Sequence, residues 1–156
     1  MSLDPTVRRA NFKDSLKKFF VEQLEAGKGV ELMFDKSLST PDLISKTVNR
    51  WVNIDIGDID RSYMSEIHID IYCCTRKDPE GFRLAQLTDT VMELLTDATT
   101  TDGMKRIPFY RSHPTDAWTL LGAFLVSEII ESRELESVDE TKYIIMSCLL
   151  RTASKI

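Results

Sequence analysis

Residues 51–74 read WVNIDIGDIDRSYMSEIHIDIYCC, and two runs within them alternate apolar and polar side chains. Alternate positions of an extended strand point to opposite faces of a sheet, so each run has one apolar and one polar face. The apolar residues are Val52, Ile54 and Ile56 in the first run, and Ile67, Ile69, Ile71 and Cys73 in the second. A turn-rich segment, GDIDRSYM, separates the runs. The stretch therefore predicts an antiparallel hairpin that is buried on one face.

An amphipathic helix follows this hairpin almost directly, and another precedes it. Residues 78–95 (DPEGFRLAQLTDTVMELL) and residues 4–27 (DPTVRRANFKDSLKKFFVEQLEAG) both begin with Asp-Pro and carry apolar residues at helical spacing. We expect Asp78 and Asp4 to cap the two helices, because an aspartate accepts hydrogen bonds from the free N–H groups of a first turn. Gly27 is placed to end the first helix in the left-handed conformation.

The remaining apolar segments predict strands. Residues 28–34 are expected to form a short strand. Residues 105–112 form another, in which Pro108 indicates an edge position because proline cannot donate a hydrogen bond to a neighbouring strand. Residues 117–132 and 141–152 alternate over a longer span and predict a second hairpin. The order is thus helix, three strands, helix, three strands.

This order predicts a single α+β domain over residues 1–156. It is expected to hold a mostly antiparallel sheet of about five to six strands, on which the two amphipathic helices pack. A chain of 156 residues is long enough to bury a core of this kind. One alternative stays open for residues 123–136 (AFLVSEIIESRELE), whose apolar positions do not alternate strictly, so that this segment could be helical in part.

Composition and charge narrow the function classes. Hydrophobic residues make up 42% of the chain and charged residues 29%, as in ordinary globular domains. The net charge of -5 argues against a dedicated nucleic-acid binder, which normally has a basic excess. No apolar run approaches the roughly 20 residues of a membrane span, and the N-terminus lacks the apolar core of a secretory signal. Cys73, Cys74 and Cys148 form no CxxC pair, which favours a reduced, cytoplasmic chain with free thiols.

The run HIDIYCC, residues 68–74, raises the possibility of a metal site. As a strand it aligns His68, Asp70, Tyr72 and Cys74 on one face. Zinc needs three or four ligands around one point, but side chains two apart on a strand lie about 7 Å apart. We therefore interpret the row as the solvated face of a half-buried strand. A small metal-binding enzyme that uses His68 and Asp70 is the alternative.

No motif in the chain specifies a reaction. There is no GxSxG elbow, no phosphate-binding loop and no cysteine paired with histidine at a known catalytic spacing. Cys73 and Cys148 are expected to be small core residues. The carboxylates of DIGDIDRS do not fit the twelve-residue calcium loop, and we interpret them as a polar turn. We predict no catalytic residue, no metal ligand and no cofactor.

Two sets of residues are candidates for contact with a partner. Arg9, Lys13 and Lys17 share one side of the first helix at four-residue spacing, which is typical of a solvated face or of a docking surface for an acidic partner. Aromatic side chains are over-represented where proteins meet. The complete set of candidate interface residues is Trp51, Phe109, Trp118, Tyr143, Arg9, Lys13 and Lys17.

The order of elements resembles that of the tail terminator (tail-completion) proteins of long-tailed bacteriophages, the lambda type included. The likeness covers nearly the whole chain. The segments that carry it are DSLKKFF, then WVNIDIGDIDRSYMSEIHIDIYCC with FRLAQLTDTVMELL directly behind it, and the closing pair AFLVSEIIES and YIIMSCLLRT. The strand pair that runs straight into an amphipathic helix is the most telling part.

The resemblance implies a structural function without catalysis. Such proteins close into a homohexameric ring on the finished tail tube, stop further tube subunits from adding, and offer a surface to the neck of the head. The implied partners are further copies of the chain, a tail tube protein and a head–neck protein. DNA passes through without specific binding, and no membrane is involved. The chain would lie in the host cytoplasm during assembly and then in the virion tail of a phage or prophage. Another head–tail joining or neck protein of the virion is the alternative.

A ring of this kind implies an acidic bore. Six chains of net charge -5 would carry -30, and an acidic lumen repels the phosphates of passing DNA. The residues that we expect to line it, all in the two hairpin turns, are Asp58, Asp60, Glu131, Glu134 and Glu136.

Overall fold

The computed structural model describes residues 9–27, 29–34, 49–60, 64–99, 103–111, 119–137 and 141–153. In chain order the elements are α1 (Arg9–Phe20), β1 (Glu31–Phe34), β2 (Arg50–Asp60), β3 (Met64–Thr75), α2 (Phe82–Leu95), β4 (Arg106–Arg111), β5 (Thr119–Glu131), β6 (Leu135–Glu136) and β7 (Lys142–Ala153). Within these residues, no helix has the length and apolar character needed to cross a bilayer.

The strands form one seven-stranded sheet in the order β1-β2-β3-β7-β5-β4, and β6 pairs with β7. β1 lies parallel to β2, whereas the other pairs are antiparallel. The predicted α+β class with two helices is confirmed. The predicted sheet, mostly antiparallel with five to six strands, is corrected to a mixed sheet of seven that curls into a half-barrel. A parallel pair needs a long connection, which residues 35–49 provide between β1 and β2.

The predicted β2–β3 hairpin is confirmed, and its register explains the alternation. Ile54 lies opposite Ile71, and Ile56 lies opposite Ile69. An irregularity between Ile56 and Ile59 then shifts the register of β2. The apolar residues predicted to share one face are all buried, which places them in the core under the helices. The second predicted hairpin is also confirmed as the antiparallel pair β5–β7, so the helical alternative for residues 123–136 is wrong.

Helix α1 lies on the concave side of the curled sheet and contacts both of its edge strands. The Lys17 Nζ lies 5.7 Å from the centroid of the Phe34 ring on β1. The neighbouring Lys18 Nζ lies 5.6 Å from the centroid of the Tyr110 ring on β4. Because β1 and β4 are the two ends of the strand order, the helix spans the open side of the half-barrel.

An aromatic cluster fixes α1 to β4 and β5. The ring centroid of Phe12 lies 5.2 Å from that of Phe109 and 5.5 Å from that of Phe124. Phe109 and Phe124 are themselves 5.0 Å apart. Such tilted and edge-on pairs stabilise a fold by about 0.5–1.5 kcal/mol each beyond the area they bury. The edge position predicted from Pro108 is confirmed, because β4 ends the strand order.

The end of the first helix differs from the prediction. Regular α-helix stops at Phe20, and a π-helical segment, Val21–Ala26, continues it. Gly27 is right-handed, with φ -82°, whereas Gly29 has φ 67°. The left-handed turn therefore comes two residues later than predicted, since the wider π-helical turns extend the helix. Asp4, the predicted N-cap, lies outside the described residues.

Helix α2 begins at Phe82, four residues later than predicted, yet Asp78 still caps it. Its carboxylate accepts hydrogen bonds from the backbone N–H of Leu84 at 2.9 Å and of Arg83 at 3.3 Å. The Thr75 hydroxyl donates to the same carboxylate at 3.1 Å. The predicted capping role of Asp78 is therefore confirmed, although the aspartate reaches the first turn from outside the helix.

Candidate interaction surface on the helix-free sheet face

Side chains that alternate with the core residues form the second face of the sheet, which we call the helix-free face. Both helices pack against the core side, where β3, β5 and β7 bury their apolar residues. The helix-free face at the centre of the sheet consists of Glu66, His68, Asp70 and Tyr72 on β3, Tyr143, Ile145, Ser147, Leu149 and Arg151 on β7, and Leu125, Glu128 and Ile130 on β5. Successive side chains of a strand point to opposite faces of a sheet, so the residues between the core positions all lie on the helix-free face.

The polar row of HIDIYCC lies on this face, as predicted from its alternation. Asp70 lies opposite Ser147, whose hydroxyl donates to the carboxylate at 2.9 Å. His68 is exposed, opposite Leu149. Among the described residues, no three histidine, cysteine, aspartate or glutamate side chains lie close enough together to hold a metal ion.

A second cross-strand pair borders the row. Glu66 lies opposite Arg151, and the Arg151 Nε donates to the Glu66 carboxylate at 3.1 Å. Both side chains are partly open to solvent, so the pair contributes little to stability, about 0–1 kcal/mol. The pair places one carboxylate and one guanidinium side by side on the helix-free face.

An apolar strip crosses the helix-free face where β5 meets β7. Ile130 is 59% exposed although it lies opposite Ser147 within the sheet. Leu125, Ile145 and Leu149 are half-buried beside it. A sheet normally packs another layer on a face of this character. We call Leu125, Ile130, Ile145 and Leu149 the apolar strip. Sequence reasoning missed it, because both faces of β5 and β7 are apolar and the pattern does not reveal which one the helices cover.

Trp51 lies at the far end of the same face, but it is buried. Its side chain is 1% exposed and packs with Cys74, Tyr143 and Met33. The Arg76 guanidinium carbon lies 4.7 Å from the Trp51 ring centroid. This corrects the predicted interface role of Trp51, because the ring has no free surface to offer. Tyr143 is half-buried and keeps part of its surface on the helix-free face.

A second predicted aromatic anchor, Phe109, does not line a surface. Phe109 is 4% exposed and belongs to the aromatic cluster under α1, so its predicted interface role is corrected to a packing role. Trp118 lies outside the described residues.

The thiols are core groups, as predicted. Cys73 lies with its Sγ 3.9 Å from the Met146 Sδ. Burial raises the pKa of Cys73 to about 12, despite a hydrogen bond with Thr88 that lowers it. Burial, with a smaller effect of the Asp70 charge, also raises the pKa of Cys148 to about 12. Both thiols are therefore protonated at neutral pH and are poor nucleophiles.

The basic residues of α1 lie on the other side of the molecule. Arg9, Lys13 and Lys17 are exposed, and we call them the basic ridge. The Arg9 guanidinium also donates to the Ile56 carbonyl at 3.4 Å. The four-residue spacing places them along one side of the helix, about 6 Å apart per step.

The predicted acidic bore residues are exposed, but the structure does not bring them together. Asp58 and Asp60 lie at the end of the sheet where Met64 pairs with Ala153. Glu134 and Glu136 lie at the end where Thr75 pairs with Lys142, whereas Glu131 lies opposite Met146, four residues from that pair. The length of β3 separates these ends by about 36 Å. Glu134 is also ion-paired with Lys142 at 3.1 Å.

No protein-family description and no curated protein matches this chain. Among solved structures, 13 chains match it. One of them superposes with a TM-score of 0.58 at 10% sequence identity, over 93% of this chain and 95% of the other. At this identity the likeness shows the fold alone.

Proposed function

We propose that this chain is a non-catalytic ring subunit that ends the tail tube of a phage or prophage, as the likeness of its element order to tail terminator proteins implies. The observation that carries the proposal is the helix-free face, which leaves Ile130 59% exposed where the end of β5 pairs with β7. An apolar strip bordered by charged side chains is suited to a protein partner. The buried, protonated thiols of Cys73 and Cys148 support a role in packing rather than in catalysis.

A ring subunit needs two unlike surfaces, because repeated head-to-tail contacts close into a ring when their rotation fits. The curled sheet supplies two such surfaces on opposite sides, the basic ridge of α1 and the helix-free face. In this proposal the tail tube protein and the head–neck protein bind at the two rims of the ring. The strands run along the bore, which makes the ring about 36 Å tall.

The acidic turns then lie at the two openings of the bore. Asp58 and Asp60 form one acidic rim and Glu134 and Glu136 form the other, with Glu131 farther along the bore. Carboxylates at both openings repel DNA phosphate, so DNA passes without binding. The two turns are separated by the length of the sheet, so in this proposal the carboxylates stand at the openings and do not form one continuous lining of the bore.

Two measurements test the proposal. Electron micrographs of the purified protein should contain rings of uniform diameter. The protein, added to the tail tube protein encoded in the same genome while tubes are growing, should stop elongation and be found at one tube end. Rings that leave tube growth unchanged but bind the head connector would support the alternative neck protein. A protein that forms no rings, alone or on tubes, would overturn the proposal.

A further inference from the structure

The two sides of the domain carry opposite charge. The basic ridge on the concave side consists of Arg9, Lys13 and Lys17, all exposed. The helix-free face on the convex side carries the carboxylates of Glu66, Asp70 and Glu128, together with the guanidinium groups of Arg151 and of Arg106, which lies opposite Leu125 near one edge. The basic ridge is therefore positively charged and the helix-free face is mainly negatively charged, and the two surfaces point in opposite directions.

We propose that the basic ridge of one copy docks on the helix-free face of the next copy, an interface that rests on the proposed ring and specifies how its subunits meet. The occupant is a second copy because the chain itself carries the complementary charge on its opposite side. A contact between two different patches is heterologous, and each copy can then make it twice.

The spacing of the charges on the two surfaces agrees. Arg9 and Lys17 are eight residues apart on α1 and therefore about 12 Å apart along the helix axis. Glu66 and Asp70 are four residues apart on β3 and about 13 Å apart along the strand. Glu128 lies on β5, two strands over from β3, about 10 Å to the side of this row. A helix laid along β3 and β7 can therefore present its cations to all three carboxylates.

The apolar strip explains how such a contact excludes water. Lysine and arginine keep their charged heads in solvent while their aliphatic stems cover apolar surface. The stems of Lys13 and Lys17 are long enough to cover Ile130 and Leu149 while the ammonium groups reach Asp70 and Glu128, and the Lys17 Nζ exchanges the Phe34 ring of its own chain for this contact. The exposed part of Ile130 is then buried by a neighbouring copy, and the charges determine the direction of docking.

Charge reversal on one side at a time tests this interface. The ridge variant Lys13→Glu/Lys17→Glu keeps the helix-free face, and the face variant Asp70→Lys/Glu128→Lys keeps the ridge. Each should associate with itself at least roughly 100-fold more weakly than the original chain, because like charges then meet across the contact. Sedimentation velocity and native mass spectrometry over a range of concentrations provide the measurement.

Mixing provides the sharper readout. The intact ridge of the face variant should dock on the intact face of the ridge variant, and the reversed ridge should dock on the reversed face. An equimolar mixture should therefore regain head-to-tail association, with the two variants alternating. A chain that carries all four reversals should regain head-to-tail association, because both charges have changed sign. The matched control is Asp89→Lys/Glu93→Lys, an i,i+4 reversal on the exposed side of α2, which should leave association unchanged. Circular dichroism melts verify that every variant is folded.

The outcomes separate this inference from the proposed function. Rings that persist in both reversal variants would overturn the ridge-to-face contact and leave the ring proposal in place. Reversal variants that remain monomeric when mixed would also overturn the contact. An original chain that is monomeric at every concentration, and forms no ring on tubes, would overturn both.

Discussion

The hydroxyl of Ser15 on α1 pairs with both backbone polar groups of Tyr110 on β4, 95 residues away. The Tyr110 N–H donates to the Ser15 Oγ at 2.8 Å, and the hydroxyl donates to the Tyr110 carbonyl at 3.2 Å. Ser15 is fully buried. One side chain of a helix thereby occupies the place of a neighbouring strand at the edge of the sheet, where unpaired backbone groups would otherwise attract another chain.

Replacement of Ser15 by alanine should lower the free energy of unfolding by about 1–3 kcal/mol, because the Tyr110 N–H and C=O lose their partner beneath the helix. Urea unfolding measures the change, and hydrogen exchange at the Tyr110 amide should become faster. The control is Ser147→Ala, which removes an exposed hydroxyl that donates to Asp70 and should change stability by less than about 0.5 kcal/mol. Equal effects of the two substitutions would contradict the edge-protecting role of Ser15.

Asp78 should make stability depend on pH in the acid range. Burial alone would raise the pKa of its carboxyl group, but hydrogen bonds from the Leu84 and Arg83 N–H groups and the Thr75 hydroxyl outweigh burial and lower it. A carboxyl group with a lower pKa in the folded state stabilises the fold above its unfolded pKa, and that contribution is lost as the pH falls through the folded pKa.

The substitution Asp78→Ala should therefore destabilise the protein at neutral pH by about 0.5–2 kcal/mol, the usual effect of losing a helix cap. The difference from the original chain should shrink as the pH falls below the unfolded pKa of the carboxyl group. Urea unfolding at neutral and acid pH measures it, with Asp89→Ala on the exposed side of α2 as the control. A difference that is constant across this range would show that Asp78 does not act through its charge.

The core thiols should react only when the protein unfolds. With pKa values of about 12 against an ordinary 9.0, Cys73 and Cys148 hold about 1000-fold less thiolate at pH 8 than free thiols do. Cys74 is equally buried. Labelling with a disulfide reagent should be negligible in the native protein and should count three thiols in denaturant. One thiol that reacts quickly under native conditions would contradict this assignment.

The same groups should weaken the fold in alkali. A thiol whose pKa is raised on folding contributes stability that is fully present below its unfolded pKa and is lost as the pH rises through the folded value. For Cys73 and Cys148 this window runs from about 9.0 to about 12. Thermal melts of a Cys148→Ala variant across this pH window measure how much of the alkaline loss of stability comes from Cys148. If the melting temperature of the variant falls as steeply with pH as that of the original chain, other groups cause the loss.

The roles of the phenylalanines can be separated by a matched pair. Phe109→Ala should cost about 3–5 kcal/mol, because it opens a cavity between Phe12 and Phe124. Phe82→Ala, at a ring that is 67% exposed at the start of α2, should change stability by less than about 0.5 kcal/mol. Chemical unfolding measures both. A Phe109 variant that folds normally but loses self-association would restore the interface role.

Alternation along a strand predicts which side chains are buried only where one face of the strand is apolar and the other polar. The alternation of β3 predicted correctly that Ile69 is buried and that His68 is exposed, because a half-buried strand has one face of each kind. The same rule does not show that Trp51 is buried whereas Ile130 is exposed, because both residues stand at alternating positions of an apolar strand. Neighbouring side chains bury the tryptophan, and no described side chain covers the isoleucine to the same extent. Which aromatic or aliphatic groups remain accessible depends on tertiary packing.

Short and irregular elements also escaped prediction. β6, Leu135–Glu136, has too few residues to show a period, and it exists because it continues the pairing of β5 along β7. Ser132 interrupts that pairing, and its hydroxyl accepts the Ile145 N–H at 2.9 Å in place of a backbone carbonyl. The parallel orientation of β1 depends on the path between strands, and alternation within a strand carries no information on direction.

The apolar strip should govern association without governing folding. Ile130→Ser removes an exposed side chain, so the free energy of unfolding should change by less than about 0.5 kcal/mol. Burial of the exposed part of this side chain by a neighbouring copy is worth about 1–2 kcal/mol, so self-association should weaken about tenfold. The control is Leu120→Ser, because Leu120 is 64% exposed at the other end of β5, away from the apolar strip. Sedimentation velocity compares the two variants. If Leu120→Ser weakened association more than Ile130→Ser did, copies would meet at the end of the sheet rather than on its helix-free face.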